Sequence, residues 1–506
     1  MIVPPRECDV RNCTDYSVAH SGDRRQRTGR LSVTRRLGYR VRNHRRDGED
    51  IRVRGRSGRL VLPRVVAAVS ASALVVLGCA ATAIAQPVGD APVDTPAPDE
   101  VFNGYVLGTF EDATIATPQE IIDGATGHDP FYDEPPLHGD EAPGTLLKAK
   151  PFDVLFTVVK PGNVSAWKIM YVTENLDGSP DIGTGVVMIP DDGRDNATRP
   201  IVAYQEANDS VGARCHPSSQ WSGGAVGDAS AWSALGPLAL MWGQGLATVI
   251  SDVGNDADPA PHGVFAGKYA AKTLLDGVRA AFAVDDAGLS RDAPVGVFGI
   301  AGGGVGGAFA AELQPTYAPE IDLRATVLEG MVVDQRNFIR FAGGGIGSGF
   351  VFATLLGLEP QYPEMRLDEK FNPAGKALAD VWRTQCQNSY FFTPFLPLEA
   401  MFTSGENPAD IADFQHVYDD NRLGVGDAPR SRILITSCGA DDSFMSVVPA
   451  QDSRDLADRY RAMGTDVVYR PSDCSMSVFF TNLYRWGTDL FGMQTVDWLA
   501  TELSRP

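Results

Sequence analysis

Residues 295–313 contain the feature that most constrains how this chain can fold. The apolar run Val295–Ile300 has the length and composition of a buried strand, and Gly306–Leu313 has the pattern of a helix. Between them lies Gly299-Ile300-Ala301-Gly302-Gly303, whose glycines let the backbone turn more tightly than larger residues would. A buried strand that turns directly into a helix is the repeating unit of α/β proteins, so this segment predicts a sheet flanked by helices.

Strand-like and helix-like segments also alternate along residues 105–332 and 429–506. We predict strands at Phe152–Lys160, Trp167–Thr173, Gly183–Ile189, Pro200–Tyr204, Gly245–Asp252, Leu323–Glu329, Arg432–Cys438 and Asp466–Arg470, and helices at Ala270–Phe282, Ala450–Met463 and Leu483–Leu503. Such repeated βα units imply a mostly parallel, doubly wound sheet. Residues 333–428 differ, because they combine Gly343-Gly344-Gly345 and many aromatic residues with no β period. We therefore predict a cap or lid at 333–428, inserted between the N-terminal and C-terminal parts of an α/β core.

The N-terminal residues differ sharply in charge from the rest of the chain. Residues 1–64 contain 17 arginines and seven acidic residues, a net charge of +10, whereas the whole chain carries −20. The remainder therefore carries −30, which repels phosphate backbones and anionic headgroups and excludes nucleic-acid binding by the folded part. We interpret residues 1–60 as a disordered head, translated from a start codon placed too far upstream, in preference to a basic interaction arm.

Residues 61–85 have the organisation of a secretory signal. Basic residues precede the apolar run Val65–Leu77, and Ala83-Ile84-Ala85 supplies the small residues of a cleavage site. Two alternatives stay open, because the stretch is long enough for an uncleaved membrane anchor and Cys79 lies where a lipoprotein would be acylated. Each of these predicts export, and the proline-rich residues 86–104 then form a linker to the folded body.

Four of the seven cysteines lie in the body of the chain, at Cys215, Cys386, Cys438 and Cys474. An even number in an exported body predicts two disulfides, and the sequence leaves all three pairings open. None of the four has the close spacing of a zinc site, so we expect no metal.

The turn at Ala301 decides which chemistry the chain can perform there. A strand, a sharp turn and a helix are the setting in which the motif G-x-S-x-G presents a serine for acyl transfer. Here the central residue is Ala301, and a methyl group cannot be activated by a base or carry an acyl group. Ordinary serine hydrolysis at this turn is therefore excluded.

Several segments together resemble the secretory lipases of the α/β-hydrolase fold, the group that includes fungal lipase A. These segments are Phe131-Tyr132-Asp133-Glu134-Pro135-Pro136, Tyr204-Gln205-Glu206-Ala207-Asn208-Asp209-Ser210, Cys215-His216-Pro217-Ser218, Gly245–Asp252, Leu275–Ala281 and Ala311–Glu320. The resemblance implies a lipid-ester hydrolase with a Ser-Asp-His triad beneath a cap.

The resemblance also implies where the catalytic groups would lie. The nucleophile position is Ala301, the acid position is Asp442, and the histidine position falls on Ser477. The last histidine of the chain precedes Asp442, so the order Ser, acid, His of this fold cannot be completed. The backbone N–H of Gly302 and the loop at Asp209 correspond to the family's oxyanion contacts. An ordinary turn explains Asp209 equally well, because aspartate side chains hydrogen-bond to nearby backbone groups in turns.

For the cysteines, the resemblance implies that Cys215 pairs with Cys386, which ties an early loop to the cap. Cys438 would then pair with Cys474, where the acid and histidine loops of a lipase meet. That second disulfide would make the site rigid. The alternative, Cys474 as a replacement nucleophile, requires a base that the sequence does not supply.

The sequence thus predicts an exported lipase homologue that has lost catalysis, uses no cofactor, and binds a lipid or a protein partner. One alternative is a residual lipid-ester hydrolase with a rebuilt site that uses Asp442, Ser477 or Ser210. The other alternative is a nucleotide-binding protein. Gly302, Gly304 and Gly307 match the dinucleotide-binding pattern G-x-G-x-x-G. Glu329 would be the ribose-binding acid of that pattern, although the glycines also suit plain helix–strand packing.

Overall fold

The computed structural model of the chain describes residues 112–126, 128–155, 158–225, 228–255, 262–441, 446–477 and 495–505. The predicted head, signal and linker lie outside these residues, as do Asp442 and much of the predicted C-terminal helix. Among the described residues, no helix is both long enough and apolar enough to cross a bilayer.

Most strands of the described residues belong to one large sheet. The strands are β1 (Thr114–Ile115), β2 (Leu146–Phe152), β3 (Val159–Lys160), β4 (Val164–Glu174), β5 (Pro180–Pro190), β6 (Ile201–Gln205), β7 (Ala247–Ser251), β8 (Val295–Ile300), β9 (Leu323–Glu329), β10 (Arg432–Cys438) and β11 (Val467–Ser472). Nine of them pair in the order β2-β4-β5-β7-β6-β8-β9-β10-β11, and β1 pairs with β3 separately. The pairings from β7 to β11 are parallel and those among β7, β5, β4 and β2 are antiparallel. The predicted mostly parallel sheet is confirmed.

Helices cover both faces of this sheet. The helices of the described residues, in the sheet layers and in residues 333–428, are α1 (Pro118–Thr126), α2 (Pro217–Gln220), α3 (Ala229–Gly243), α4 (Gly267–Ala281), α5 (Gly302–Tyr317), α6 (Gln335–Ala342), α7 (Ser348–Leu358), α8 (Leu367–Lys370), α9 (Pro373–Trp382), α10 (Asn388–Phe391), α11 (Gln415–Asp420), α12 (Ala450–Ala462) and α13 (Thr495–Leu503). Alternate strand residues point to opposite faces, so Val297 packs with α4 and α5 whereas Phe298 packs with α3 and α13. The sheet is therefore doubly wound, as predicted.

One strand prediction was wrong. Phe152–Lys160 is not a single strand, because the ladder of β2 ends at Phe152 and the chain then leaves the sheet. Val154 and Leu155 are buried there, and the backbone N–H of Leu155 donates to the carbonyl of Trp221 at 2.8 Å. The apolar residues that predicted a strand therefore include loop residues whose side chains enter the core.

Residues 333–428 contain helices and turns, with an isolated bridge between Phe371 and Phe402 as the β pairing described there. Aromatic side chains fill the interior of this region. The ring of Phe352 lies 5.2 Å from that of Phe371 and 5.3 Å from that of Trp382. The aromatic composition that set this region apart in the sequence thus builds a helical region whose buried side chains join the core on one face of the sheet.

Candidate functional site

Ala301 forms the sharp turn between β8 and α5. Its backbone has φ 52° and ψ −123°, a conformation that L-residues rarely adopt. Backbone strain of this kind costs about 1–3 kcal/mol and persists only where the surrounding structure enforces it. Here the N–H of Ala301 donates to the carbonyl of Glu329 at 2.8 Å, and its own carbonyl accepts from Gly304 at 3.0 Å. Strand β9 and the first turn of α5 therefore fix the geometry of this turn, residues 299–303, which we call the elbow.

The glycines of this turn let it lie directly against neighbouring backbone. A Cβ atom on Gly303 would come within 2.4 Å of the carbonyl oxygen of Gln205 and 2.3 Å of that of Glu206. A Cβ on Gly299 would lie 2.9 Å from the Cα of Gly304. Since strands β6 and β8 are neighbours, these contacts press the elbow against the loop that follows β6.

The same contacts account for the nucleotide-like glycine pattern. A Cβ on Gly304 would meet Met331 at 2.4 Å, and one on Gly307 would meet Gly299 at 3.2 Å. Protein atoms thus occupy the glycine faces that a pyrophosphate would approach. Glu329 is buried and accepts a hydrogen bond from the hydroxyl of Thr495, so its carboxylate faces the core. The glycines serve helix–strand packing.

Asp209 and Gly302 meet at the carboxyl ends of the adjacent parallel strands β6 and β8. A Cβ placed on Gly302 would lie 1.7 Å from Asp209 Oδ1, so the carboxyl group lies directly against the first residue of α5. The first N–H groups of a helix have no partner within the helix, and they form its positive end. The structure therefore brings together the two residues predicted for the oxyanion contacts.

The backbone of Asp209 is already engaged. Its N–H donates to Gln387 Oε1 at 2.8 Å, and Gln387 is itself buried. Among the described residues, no hydrogen-bond partner reaches Asp209 Oδ1, although the residue is only 6 % exposed. A polar contact from Asp209 to a ligand would thus come from its carboxyl group and not from its backbone N–H.

Burial controls the charge of the carboxyl groups beside the elbow. Loss of solvent, with a smaller contribution from the negative charge of Asp228, raises the pKa of Asp209 to about 7. Burial also raises the pKa of Glu206 to about 8, against the opposing effect of the Trp221 indole N–H at 3.2 Å. Both groups are therefore largely protonated below neutral pH and can donate hydrogen bonds.

The predicted acid and histidine positions are only partly described. Asp442 lies outside the described residues, and its neighbour Asp441 caps helix α12 by accepting from the N–H of Ala450 at 2.8 Å. Ser477 is exposed five residues beyond the end of β11, whereas Ser210 is fully buried. The roles predicted for Asp442 and Ser477 remain predictions.

Both disulfides implied by the resemblance are present. Cys215 is bonded to Cys386 with their Cα atoms 5.3 Å apart, and Cys438 is bonded to Cys474 with a separation of 5.4 Å. The second bond joins the end of β10 to the segment after β11. Cys474 has no free thiol, so the alternative of a cysteine nucleophile is wrong.

Ser218, Asp252, His216 and His262 form a buried cluster that contains the residue types of a catalytic triad. The Ser218 hydroxyl donates directly to Asp252, and the centroids of the two tilted imidazole rings lie 4.0 Å apart. No imidazole stands between serine and acid in this arrangement, and Ser218 is fully buried. Burial also lowers the pKa of His216 well below its usual value. The cluster therefore supports the loop and does not form a hydrolytic site.

A cleft of about 1250 Å³ opens between α1, the end of β2 and the segment around Cys386. Its lining includes Lys150, Lys160 and Asp129 but neither Ala301 nor Asp209. The lysines form ion pairs, with Lys150 Nζ 2.8 Å from a carboxylate oxygen of Asp129. The cleft is thus separate from the elbow, and ion pairs occupy part of its lining. No group of three or more metal-ligating side chains is assembled within the described residues.

Sequence reasoning missed Gln387, Glu206 and Asp228. Each was an ordinary polar residue in the sequence, and each gains its effect on the elbow from burial. Gln387 arrives from the aromatic region 178 residues away, and the N-cap residue Asp228 acts on Asp209 through its charge. The one available signal was the position of Glu206 within the family-like segment 204–210.

Comparison with known proteins shows that the chain is similar to lipases. The secretory lipase family model matches residues 239–484. The chain is 28% identical to a probable inactive lipase of Mycobacterium tuberculosis over 72% of this chain and 82% of that protein. It is 31% identical to a secreted triacylglycerol lipase of Malassezia globosa, over 47% of this chain and 51% of that protein.

The fold agrees with a solved lipase structure. The X-ray structure of Candida antarctica lipase A matches with a TM-score of 0.60 at 22% identity, covering 68% of this chain and 79% of that one. At this identity the match concerns the fold alone. The predicted α/β-hydrolase architecture is confirmed.

Proposed function

We propose that this chain, a homologue of the secretory lipases with the α/β-hydrolase fold, binds lipids without hydrolysing them. The observation that carries the proposal is the alanine methyl of Ala301 at an elbow that otherwise has the strained backbone of a nucleophile turn. No base can generate a nucleophile from that methyl group. The name of the mycobacterial relative, a probable inactive lipase, supports the same conclusion.

The expected loss in kcat shows why any residual activity would be too slow to be useful. Loss of a triad serine or histidine costs about 10⁶ in kcat, and loss of both costs little more. The oxyanion contacts and binding alone leave roughly 10³–10⁴ over the uncatalysed reaction. The nucleophile is absent at Ala301, and no histidine follows the predicted acid in the chain.

We therefore expect the wild-type protein to show no enzymatic hydrolysis of p-nitrophenyl butyrate or p-nitrophenyl decanoate. A fluorophosphonate probe should not label it, because labelling requires an activated nucleophile. Release of p-nitrophenol and mass spectrometry of the probe-treated protein measure the two outcomes. Robust turnover, or a covalent acyl adduct trapped on the chain, would favour the alternative of a rebuilt hydrolase.

An uncharged aromatic surface supports lipid as the ligand. Phe391, Phe392 and Phe395 form what we call the phenylalanine patch, with side chains 54, 84 and 68 % exposed. The patch lies in residues 384–398, which contain no charged residue, and it contacts residues 341–358, which contain none either. The ring of Phe350 packs 4.8 Å from that of Phe391, and the N–H of Phe395 donates to the carbonyl of Gly345 at 2.7 Å. Two charge-free segments thus meet at the surface of a chain in which 21% of residues are charged.

We propose that a neutral lipid surface covers the phenylalanine patch. Clusters of exposed apolar side chains mark interaction sites, and protein partners more often present tryptophan, tyrosine and arginine at their hot spots. The strongly acidic body repels anionic headgroups, which favours zwitterionic or uncharged lipid.

Substitution of Phe392 by serine should weaken binding to phosphatidylcholine vesicles by about tenfold, because burying one phenylalanine contributes roughly 1.5–3 kcal/mol. Vesicle co-sedimentation measures the effect. Ile115→Ser is the matched control, since Ile115 is 71 % exposed in β1, outside the patch, and should leave binding unchanged. Equal binding by wild type and Phe392→Ser would instead point to a protein partner for the patch.

We further propose that the protein works outside the cytoplasm. The chain has two disulfides, and disulfides persist in oxidising compartments. The matching family is named secretory lipase, and the Malassezia relative is named a secreted lipase. The signal at 61–85, and its alternatives as a membrane anchor or a lipoprotein signal, remain predictions.

A further inference from the structure

We propose that the cleft between α1, the end of β2 and the segment around Cys386 binds the uncharged sugar headgroup of a glycolipid. The inference rests on the proposed function, because it names a lipid of the surface that covers the phenylalanine patch. The site is distinct from the elbow, since neither Ala301 nor Asp209 lines the cleft.

The walls of the cleft are fixed in place. Helix α1 has no buried residue, so it forms a wall without belonging to the core. It is held by the ion pair of Glu120 with Lys160, at 2.8 Å, and by Arg214, which donates to a backbone carbonyl of the same helix at 3.3 Å. Another wall is anchored where Cys386 is bonded to the fully buried Cys215.

The volume of the cleft suits a ligand larger than one sugar ring. At about 1250 Å³ it exceeds the roughly 300–1,000 Å³ of pockets that hold drug-sized molecules. Its walls are already built, so a ligand would bind without the cost of ordering a loop around it.

The charges in the cleft are already balanced by ion pairs. Asp129 lies 2.8 Å from Lys150 Nζ and 3.1 Å from the Nζ of the buried Lys168. Lys160 pairs with two further carboxylates. A charged ligand would have to displace these pairs, and the strongly acidic body repels anions in particular. An uncharged ligand leaves the pairs intact.

The hydrogen-bonding groups that remain suit a ligand with many hydroxyl groups. An ammonium group has three donors and a guanidinium group five, and Lys150 and Arg214 each use one of them within the described part of the chain. The segment around Cys386 adds uncharged amide and hydroxyl side chains at Thr384, Gln385, Asn388 and Ser389. A hydroxyl group both donates and accepts, so a sugar can use donors and acceptors in the same cleft. Phe152 adds an aromatic ring that the C–H groups of a sugar ring can cover.

Helix α10 connects the cleft to the phenylalanine patch. Asn388 and Ser389 line the cleft, and Phe391 of the patch is the last residue of the same helix. Three residues of an α-helix rise by about 4.5 Å, so the cleft lining and the patch are neighbours. A lipid surface that covers the patch therefore brings its headgroups beside the cleft. This adjacency favours a glycolipid headgroup over a free oligosaccharide.

The test is co-sedimentation with vesicles of phosphatidylcholine, prepared with and without digalactosyldiacylglycerol, whose headgroup consists of uncharged hexoses. We expect the wild type to bind the glycolipid vesicles at least about tenfold more tightly, because several hydrogen bonds of ordinary strength together give a factor of this size. Soluble digalactosylglycerol, the headgroup without its acyl chains, should compete with the glycolipid vesicles. These measurements on the wild type do not depend on any variant folding.

A double variant with Arg214→Ala and Gln385→Ala should reduce the preference for glycolipid vesicles to less than about threefold. Both side chains are exposed, so their loss should leave the fold intact. The matched control is Arg505→Ala with Gln451→Ala, which removes the same two side-chain types at exposed positions outside the cleft and should keep the full preference.

Phe392→Ser separates this inference from the proposed function, since it should weaken binding to both kinds of vesicle by the same factor. If the glycolipid gives the wild type no gain, the headgroup site is wrong while lipid binding by the patch stands. The headgroup assignment is equally wrong if soluble digalactosylglycerol binds in calorimetry but the glycolipid vesicles gain nothing. If the wild type binds neither kind of vesicle, the proposed function and this inference fail together.

Discussion

A variant that carries Ala301→Ser together with Ser477→His is expected to hydrolyse p-nitrophenyl butyrate measurably faster than the wild type. The elbow backbone at residue 301 is held by Glu329 and Gly304, so a serine hydroxyl would be presented without rearrangement of the turn. Complete loss of the triad costs about 10⁶, and even partial restoration of it should raise the rate at least about 10²-fold. Initial rates at pH 8, where an imidazole is neutral, measure the gain.

The single variants are the controls for this experiment. Ala301→Ser alone should remain inactive, because its hydroxyl has no base, and Ser477→His alone lacks a nucleophile. Substantial turnover by Ala301→Ser alone would mean that another base already faces the elbow. Inactivity of a folded double variant would show that Ser477 does not occupy the histidine position. Circular dichroism separates that outcome from misfolding.

The second large effect is on stability, which should increase as the pH falls from 8 to 6.5. Burial raises the pKa of Glu206 to about 8, that of Asp209 to about 7, and that of Asp276 to about 6. A carboxyl group with a raised pKa binds more protons in the folded state, so the free energy of unfolding falls as the pH rises. Together we expect about 2–3 kcal/mol more stability at pH 6.5 than at pH 8, or roughly 3 °C in Tm.

Other groups titrate at lower pH, and they set the lower limit of the pH range over which stability should increase. The carboxylates of Glu120, Asp129 and Asp192 have pKa values lowered to about 2, so the stability they contribute is lost only in strong acid. Burial lowers the pKa of His216, which destabilises the folded state below about pH 6.5, the unfolded value. The expected increase therefore levels off near that pH.

Glu206→Gln should remove more than half of the stability difference between pH 8 and pH 6.5, because its neutral amide does not titrate. Urea unfolding curves at the two pH values provide the measurement. Glu406→Gln changes an exposed glutamate and serves as the matched control, with the difference retained. A difference that persists in Glu206→Gln would assign the pH dependence to other groups.

Most of the sheet could be predicted because hydrophobic periodicity is a local property. Leu323–Glu329 and Arg432–Cys438 were predicted with the bounds that the structure shows. Phe152–Lys160 failed for a physical reason, since apolar side chains of a loop that enters the core look the same in sequence as those of a buried strand. Nothing in the local pattern indicates whether a partner strand is present.

At the elbow, the identities of the amino acids were sufficient for one conclusion. A methyl group at residue 301 and the absence of histidine after Asp442 exclude a serine triad in the order this fold uses, and no packing arrangement can alter that. Tertiary structure alone decided that Asp209 is buried against Gly302 with its backbone bound by Gln387. Charge and hydrogen-bonding capacity in a protein depend on solvation and on neighbours from distant parts of the chain, and folding determines both.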